Sequence, residues 1–237
     1  MSKNYFFVSG IVFAALITLS VFTGRSAMAI EEPKFEKIAE YDEFEIRKYP
    51  PFLIAETLVE EDFDEAGKAA FKRLGGYIFG NNEKKDKIEM TAPVSTEPAG
   101  EADGKKRWRI HFVMPADRRM ESLPIPNDST VTRREVPGQI VAVHRFSGTW
   151  SEERFAEKAK FLLEEVRKNG LSPKEETLRY ARYNPPFTPW FLRRNEVMVE
   201  IAFKTITQPV SQPEKTAPSG APSEPNPKKK DRHSGVR

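Results

Sequence analysis

Apolar positions along the chain follow two spacings, which predict strands and helices. Alternating or β-rich stretches at 44–48 and 52–58 are split by Pro50-Pro51, which indicates two strands joined by a turn. A helix is predicted next, with Asp62 as its N-cap and Glu65 three residues further on. Its apolar positions recur at helical spacing and are Phe63, Ala66, Ala70, Phe71 and Leu74.

The same order of elements occurs twice. Two strands, at 88–94 and 108–114, complete the first unit on either side of a turn-rich segment at 97–105. The second unit has strands at 130–136 and 139–146, a helix at 152–168, and strands at 178–183 and 196–203. At an offset of 92 residues, Phe63, Glu65, Lys68 and Leu74 fall on Phe155, Glu157, Lys160 and Val166. The pattern predicts an α+β fold: a duplicated strand-strand-helix-strand-strand unit forms one twisted, mostly antiparallel sheet, which carries two main helices and leaves a cleft beside them.

The composition indicates a single folded domain at 30–206, because both ends of the 237-residue chain differ from the middle. The two ends contain 8 of the 38 basic and 3 of the 35 acidic residues, which leaves 30 basic and 32 acidic side chains and a net charge of −2 in the domain. A nucleic-acid interface needs clustered positive charge, so no nucleic-acid partner is expected. The chain has no cysteine, which excludes thiol chemistry and cysteine-bound metal.

Residues 1–29 have the pattern of a signal peptide. Lys3 precedes an apolar run from Tyr5 to Phe22, and small residues occupy the two key positions of Ala27-Met28-Ala29. Cleavage after Ala29 would place an exported protein in the periplasm. An uncleaved segment would instead anchor the domain in the membrane.

Residues 207–237 predict a disordered tail. They are rich in Pro, Ser and Lys and contain almost nothing apolar, so they cannot bury enough surface to offset the cost of ordering. A solvated tail is the simplest interpretation. The run Lys228–Lys230 leaves open a weak contact with the membrane or the cell envelope.

Several strings of residues resemble one known family. They are Glu45–Tyr49, the region from Phe71 to Val94 with Lys-Ile-Glu-Met-Thr-Ala-Pro-Val at its end, Phe112–Pro115, Tyr183–Pro186 and Arg193–Val197. Together they resemble the SOUL haem-binding proteins over about 35–203, in a bacterial, exported member. The resemblance implies a duplicated fold like that of the bacterial effector-binding domains. It also implies haem, held non-covalently in a shallow hydrophobic cleft along the first helix, and no enzymatic activity.

The same resemblance indicates where such a site would lie. The family positions that carry a cation near the haem propionates correspond to Lys68, Gly76 and Thr188 in this chain. Two family positions that carry methionine correspond to Phe71 and Gly75. Only Lys68 retains a positive charge, so the apolar surface is expected to persist with fewer cationic partners. The candidate ligand-binding residues are Lys68, Phe71, Leu74, Gly75, Gly76, Thr188 and Trp190.

Two features of this site have alternative interpretations. Gly75-Gly76 should cost a helix about 1 kcal/mol each relative to Ala. They either let a flat ligand approach the backbone or mark the point where the helix ends. The domain's histidines, His111 and His144, both lie in predicted strands and are expected to be sheet residues, so the axial ligand of any haem stays unassigned.

Three functions are compatible with the sequence. The leading hypothesis is a monomeric, non-enzymatic carrier or buffer of haem, a related tetrapyrrole or another hydrophobic small molecule. A hydrolase of a hydrophobic small molecule is an alternative, with Glu56 and Glu89 as candidate carboxylates, although no Ser-His-Asp order, metal motif or phosphate loop supports it. A protein-interaction module using the same cleft is the third.

Overall fold

A computed structural model of the chain describes residues 30–202. Its strands are β1 (Glu36–Glu40), β2 (Glu45–Tyr49), β3 (Phe52–Glu60), β4 (Val94–Ala102), β5 (Lys105–Val113), β6 (Val131–Val136), β7 (Gln139–Phe146), β8 (Pro173–Arg182) and β9 (Asn195–Ile201). Two helices, α1 (Phe63–Ile78) and α2 (Glu152–Lys168), follow β3 and β7. No helix in this part of the chain is long and apolar enough to cross a membrane. The predicted signal peptide at 1–29 and the predicted tail at 207–237 lie outside the described residues.

The nine strands form one antiparallel sheet in the order β1-β2-β7-β9-β8-β4-β5-β3-β6. This order confirms the α+β class and the repeated unit, which appears as β2-β3-α1-β4-β5 and β6-β7-α2-β8-β9. The first strand of each unit pairs with the second strand of the other, as β2 with β7 and β6 with β3. The two halves of the sheet meet where β4 pairs with β8 over Val94–Thr96. Neither unit can therefore complete its half of the sheet alone.

Both helices pack on one face of the sheet. Phe63 of α1 and Phe155 of α2, which the duplication places at equivalent positions, are both buried, with ring centroids 6.0 Å apart. Tyr180 of β8 stacks on Phe155 at 5.1 Å. The opposite face of the sheet carries smaller apolar clusters around Val141 and Ile54. The sheet thus has two separate surfaces on which ligands could bind.

The strand predicted at 88–94 is wrong, and the turn-rich segment predicted at 97–105 is a turn only at Asp103-Gly104. The chain at 88–93 is not part of the sheet, and β4 begins at Val94 and continues to Ala102. Pro93 has no backbone N–H to donate to a neighbouring strand, which favours a strand that begins after it. Pro98 is tolerated inside β4 because β8 pairs with β4 only as far as Thr96, so one side of the strand is open beyond that point.

Two further differences concern strand ends. The sequence pattern did not predict β1, an edge strand whose alternation is obscured by three charged residues in five. The strand predicted at 178–183 begins earlier, at Pro173, and its register shifts between Lys174 and Arg179. That irregularity breaks the two-residue period on which the prediction depended.

Candidate ligand-binding site

Two exposed phenylalanines flank a glycine on one side of α1. Phe71, Gly75 and Phe79 are spaced four residues apart and therefore share that side of the helix. Phe71 is 47% exposed and Phe79 57% exposed, although both are large hydrophobic residues. Gly75 itself is buried, and a Cβ atom there would lie 3.7 Å from each of the two rings, so the glycine lets the rings lie close to the helix backbone. These three residues form what we call the phenylalanine strip.

The glycine pair lies inside the helix and does not end it. α1 continues through Gly75 and Gly76 to Ile78, so the interpretation in which the helix ends at the glycines is wrong. The ring of Phe71 leans on that of Phe112 in β5, with centroids 5.9 Å apart, and this contact fixes one side of the phenylalanine strip. Glycine costs the helix stability without any close neighbour that would exclude a side chain. A ligand that needs a flat surface would account for that cost.

The other candidates on α1 occupy different surroundings. Leu74 is fully buried in the core, so it supports the helix and does not line the exposed surface. Gly76 is turned away from Gly75, with its nearest neighbour, the side chain of Asn81, 3.9 Å from a Cβ placed there. Lys68 is exposed three residues before Phe71, and its Nζ donates to Glu65 at 2.6 Å. Lys68 alone of these three could meet a ligand on the phenylalanine strip as the side chains stand.

Sequence reasoning missed a second cation beside α1, Arg182 at the end of β8. Its guanidinium nitrogens lie 3.5 Å from the position of a Cβ on Gly67, so the guanidinium lies directly against this glycine of α1. The guanidinium lies over the rings of Phe63, at 5.9 Å, and Trp150, at 5.5 Å. Its one side-chain hydrogen bond is to Thr96 Oγ1, at 3.4 Å. Among residues 30–202, no carboxylate oxygen lies within 4 Å of it.

The surroundings of Arg182 change its acidity but not its charge. Burial lowers its pKa to about 10, while the negative charge of Asp64 acts in the opposite direction. The side chain therefore remains positive at pH 7 and is poorly solvated, which favours an anionic partner. The period of two along β8 could have revealed it, because Tyr180 on the helix-facing side places Arg182 on the same side.

The loop between β8 and β9 brings more apolar groups to this side of the sheet. It contains a short 3-10 helix, Trp190–Leu192, and four exposed hydrophobic side chains, which are Phe187, Trp190, Phe191 and Leu192. Arg193 holds the loop by donating to the backbone carbonyls of Thr188 and Pro186. Its guanidinium lies 4.1 Å above the ring of Trp150. Trp150 therefore contacts both Arg182 and Arg193 and links the loop to the start of α1.

Thr188 and Trp190 contribute to the loop in different ways. The carbonyl of Trp190 accepts a hydrogen bond from the backbone N–H of Gly148 at 3.0 Å, which positions the loop while its indole stays exposed. Thr188 offers its carbonyl to Arg193, and its side chain carries no charge. Of these two predicted residues, Trp190 has the larger apolar surface available to a ligand.

Neither histidine of the described chain lies on the phenylalanine strip. His111 is buried on the opposite face of the sheet. His144 lies beside α2, with its Nδ1 2.6 Å from the carbonyl oxygen of Glu43 and its ring against Phe161. Within residues 30–202, no three acidic or histidine side chains are grouped to hold a metal ion. The side chains around the phenylalanine strip provide apolar contact and positive charge.

The two carboxylates considered for hydrolysis are not brought together. Glu56 is held by Arg134, with an N–O distance of 2.9 Å. Glu89 is an exposed residue near Arg118, at 3.6 Å. Each carboxylate thus contacts a different arginine.

The fold and the exposed helix surface together define a duplicated α+β domain with a surface suited to a flat apolar ligand. The same fold occurs in the EcmrR C-terminal domain, with a TM-score of 0.52 and 12% identity over 67% of this chain and 96% of that one. An uncharacterised conserved protein from Listeria innocua gives a TM-score of 0.53 and 12% identity over 69% and 94%. A match of residues 30–200 to the SOUL heme-binding protein model identifies the chain as a member of that family.

Curated relatives agree with this assignment. Heme-binding protein 2 of Mus musculus is 31% identical over 196 residues, which cover 77% of this chain and 95% of the relative. The human Heme-binding protein 2 is 31% identical over 163 residues, or 65% and 79% of the two chains. Heme-binding protein 1 of Mus musculus is 29% identical over 142 residues, or 59% and 74%.

Proposed function

We propose that this protein binds haem or a related tetrapyrrole non-covalently on the phenylalanine strip of α1. In this proposal it is a non-enzymatic carrier or buffer. Its family and the names of its relatives support the class of ligand. The observation that carries the proposal is the strip itself, in which two exposed aromatic rings flank a glycine on a helix beside Arg182.

The residues present fit such a ligand. A tetrapyrrole has a flat apolar ring system, which would cover the exposed parts of Phe71 and Phe79 and remove apolar surface from water. Haem, when bound, would supply an iron porphyrin with two propionates. The fork of Arg182 is suited to one carboxylate, and Lys68 could meet another at the helix surface. Arg182 would then replace a cation that the family pattern has at Gly76 or Thr188.

We further propose that the domain acts as a monomer in the periplasm. The basis is the signal-peptide pattern at 1–29, with a cleavage site at Ala27-Met28-Ala29. Retention of that segment would instead give a membrane-anchored form of the same domain. A carrier or buffer function is compatible with either form, because the strip lies in the folded part of the chain.

Two substitutions at one position test this proposal. Gly75→Leu fills the gap between Phe71 and Phe79, whereas Gly75→Ala adds a Cβ at an ordinary contact distance of 3.7 Å. Both changes favour the helix by about 0.5–1 kcal/mol. Because Gly75 is buried, leucine must also displace the two rings, so a melting curve of this variant is part of the test. Titration with haemin, followed by absorbance in the Soret region, gives the affinity. We expect Gly75→Leu to lose at least about tenfold in affinity and Gly75→Ala to stay within about threefold of the parent.

Two outcomes would contradict the proposal. If the parent protein shows no Soret change with haemin, it does not bind the proposed class of ligand. If Gly75→Leu binds haemin as tightly as Gly75→Ala does, the ligand lies elsewhere. A melting curve of each variant shows that the fold is intact and that any loss concerns binding alone.

A further inference from the structure

A small cavity of about 20 Å³, enough for about one water-sized group, lies on the face of the sheet that the helices do not cover. Three polar residues line it, namely Arg179 of β8, Gln139 of β7 and His111 of β5. Arg179 and Ala181 point to this face because Tyr180 and Arg182 point to the helices. Phe52 and Met198 are among its apolar walls. This cavity is therefore separated from the phenylalanine strip by the thickness of the sheet.

Each of the three polar residues has a buried atom without a hydrogen-bond partner. These atoms are Nε of Arg179, Nε2 of Gln139 and Nδ1 of His111, in side chains that are only 7%, 8% and 1% exposed as whole residues. Buried polar atoms are nearly always paired in folded proteins, since an unpaired one costs stability. Four other buried side-chain atoms of residues 30–202 are also unpaired, but they belong to residues outside this cavity. Three such atoms in residues that line one cavity, one of them in an arginine, indicate a missing acceptor.

Arg179 also lacks a counter-charge in the described part of the chain. Its guanidinium makes one side-chain hydrogen bond, to Gln139 Oε1 at 3.3 Å, and no carboxylate oxygen lies within 4 Å of it. Glu97 is more distant from Arg179, and its carboxylate oxygens lie 3.7 Å from Arg109 and 3.7 Å from Nδ1 of His111, beyond hydrogen-bond distance. Burial raises the pKa of Glu97, while the charge of Arg179 acts against that rise. Glu97 therefore influences Arg179 from a distance without forming an ion pair.

Another arginine on this face, Arg47, is paired with a carboxylate, unlike Arg179. Arg47 donates two hydrogen bonds to Glu196, at 2.8 and 3.0 Å. Tyr183 donates to the same carboxylate at 2.6 Å, and burial, followed by the charge of Glu196, raises the pKa of Tyr183 well above its ordinary value. Glu196 is thus committed to two donors and is not available to Arg179.

The unpaired atoms can all act as donors. Burial, reinforced by the charges of Arg179, Arg134 and Arg109, lowers the pKa of His111 well below its ordinary value. His111 is therefore neutral at pH 7, and the tautomer with its proton on Nδ1 can donate. The Nε–H of Arg179 and the amide of Gln139 are donors in any state. One acceptor group with negative charge would satisfy this set.

A larger cavity of about 280 Å³ adjoins the first one. The two share Pro33, Phe52 and Val113. The larger one is walled further by Leu53 and Met114, and its lining also includes four charged residues, Glu31, Glu32, Lys34 and Arg118. Its volume is close to the lower limit of pockets that bind small molecules. An apolar group of a few carbon atoms would fit there while a polar head reached the donors.

We propose that this face holds a second ligand site, which binds the carboxylate of a small apolar acid at Arg179, Gln139 and His111. The body of the acid lies in the adjoining cavity, between Phe52 and Val113. This site is independent of tetrapyrrole binding, because it lies on the opposite face of the sheet.

Hexanoate is a suitable probe, and hexanamide is its neutral counterpart. Calorimetric titration of the full chain should show hexanoate binding at least about tenfold tighter than hexanamide, since the amide lacks the negative charge. Acetate, which has the head group alone, should bind more weakly than hexanoate. Equal affinities for hexanoate and hexanamide, or no binding of hexanoate, would overturn the proposal.

Arg179→Met is the most informative variant. Methionine fills similar space without donors, so the variant should melt at a higher temperature than the parent when no ligand is present and should lose hexanoate binding at least about tenfold. Arg107→Met is the matched control, because Arg107 is already paired with the exposed Glu60, at 3.5 Å, and lies outside the cavity. The control should keep its hexanoate affinity, and haemin binding should be unchanged in both variants. Unchanged hexanoate affinity in Arg179→Met would overturn the proposal.

A second variant covers the case in which Arg179→Met fails to fold. Gln139→Leu removes one donor and leaves the charge of Arg179 in place. It should weaken hexanoate binding several-fold, whereas equal affinity in this folded variant would overturn the assignment of the three donors. Haemin binding that persists in Gln139→Leu would show that the two sites are separate.

Discussion

At the scale of single residues, each face of the sheet carries an arginine that has no carboxylate partner in the described part of the chain. Arg182 and Arg179 lie three positions apart on β8 and point to opposite faces. Among residues 30–202, neither guanidinium has a carboxylate oxygen within 4 Å, whereas Arg47 is fully paired with Glu196. A poorly solvated cation without a counter-charge is stabilised by an anionic ligand. Both sites are therefore explained by the same physical cause.

Arg182→Met should weaken haemin binding about tenfold if the guanidinium meets a propionate. Methionine keeps apolar contact with Phe63 and Trp150, so the core beneath should be preserved. Arg73→Met is the matched control. Arg73 is a partly buried arginine of α1, but it donates to Thr57 Oγ1 and to the carbonyl of Leu58 in β3. Haemin titration of both variants checks the prediction. Equal loss in the two variants would mean that Arg182 supports the fold only.

His111 predicts a dependence of stability on pH. Because its folded pKa lies below the ordinary value of 6.5, the unfolded chain takes up a proton first as the pH falls. The contribution of neutral His111 to the free energy of unfolding is thus complete above about pH 6.5. It is lost as the pH falls towards the pKa of His111 in the folded state. His111→Leu should therefore lose less unfolding free energy than the parent between pH 7 and pH 5, by at most about 1.4 kcal/mol per pH unit. Identical slopes in urea unfolding would contradict this.

The sequence indicated part of the candidate site and missed the rest for a physical reason. Lys68, Phe71 and Gly75 could be located because they follow the helical period and a family pattern. The period of two along β8 assigns Arg182 to the helix-facing side, but its position over Trp150 and beside Gly67 could not be predicted, since both residues are far from it in sequence. Long-range packing of this kind leaves no local signal.

At the scale of elements, the helices were predicted better than the strands. α2 runs from Glu152 to Lys168 as the apolar period indicated, because capping and period are local properties. β4 was misplaced because Pro98 and Gly100 normally indicate a turn, and only the open edge beyond Thr96 permits them in a strand. Pairing partners therefore decided the strand limits.

The two helix starts provide a matched pair of stability tests. The side chain of Ser151 accepts a hydrogen bond from the N–H of Arg154, whereas Asp62 makes no side-chain cap bond at the start of α1. Ser151→Ala should reduce the free energy of unfolding by about 1 kcal/mol, and Asp62→Ala by only a few tenths. Chemical denaturation measures both. The reverse order of effects would show that the N-cap of α1 is misassigned.

At the scale of the whole molecule, the duplicated units complete each other's half of the sheet through β2–β7 and β3–β6 pairing. The core, the phenylalanine strip and the cavity around Arg179 all lie within residues 30–202. The predicted tail at 207–237 lies outside the described residues. Its low apolar content predicts that none of these features depends on it.

Removal of residues 207–237 should leave the melting temperature and the haemin affinity unchanged. The physical reason is that this segment has too few apolar residues to contribute to a packed core. A melting curve and a Soret titration of the shortened chain check the prediction. A drop of several degrees would show that the tail packs on the domain.

The central claim is that a tetrapyrrole binds on the phenylalanine strip, and paramagnetic broadening tests its location most directly. Ferric haem broadens the NMR signals of nearby amides, so a ¹H–¹⁵N spectrum with substoichiometric haemin reports where the iron lies. The account predicts selective loss of signals from residues 67–79 and 187–193, while those of Gln139 and Arg179 on the other face persist. Selective loss around Gln139 and Arg179 with an unaffected α1, or uniform broadening without a preferred site, would contradict it.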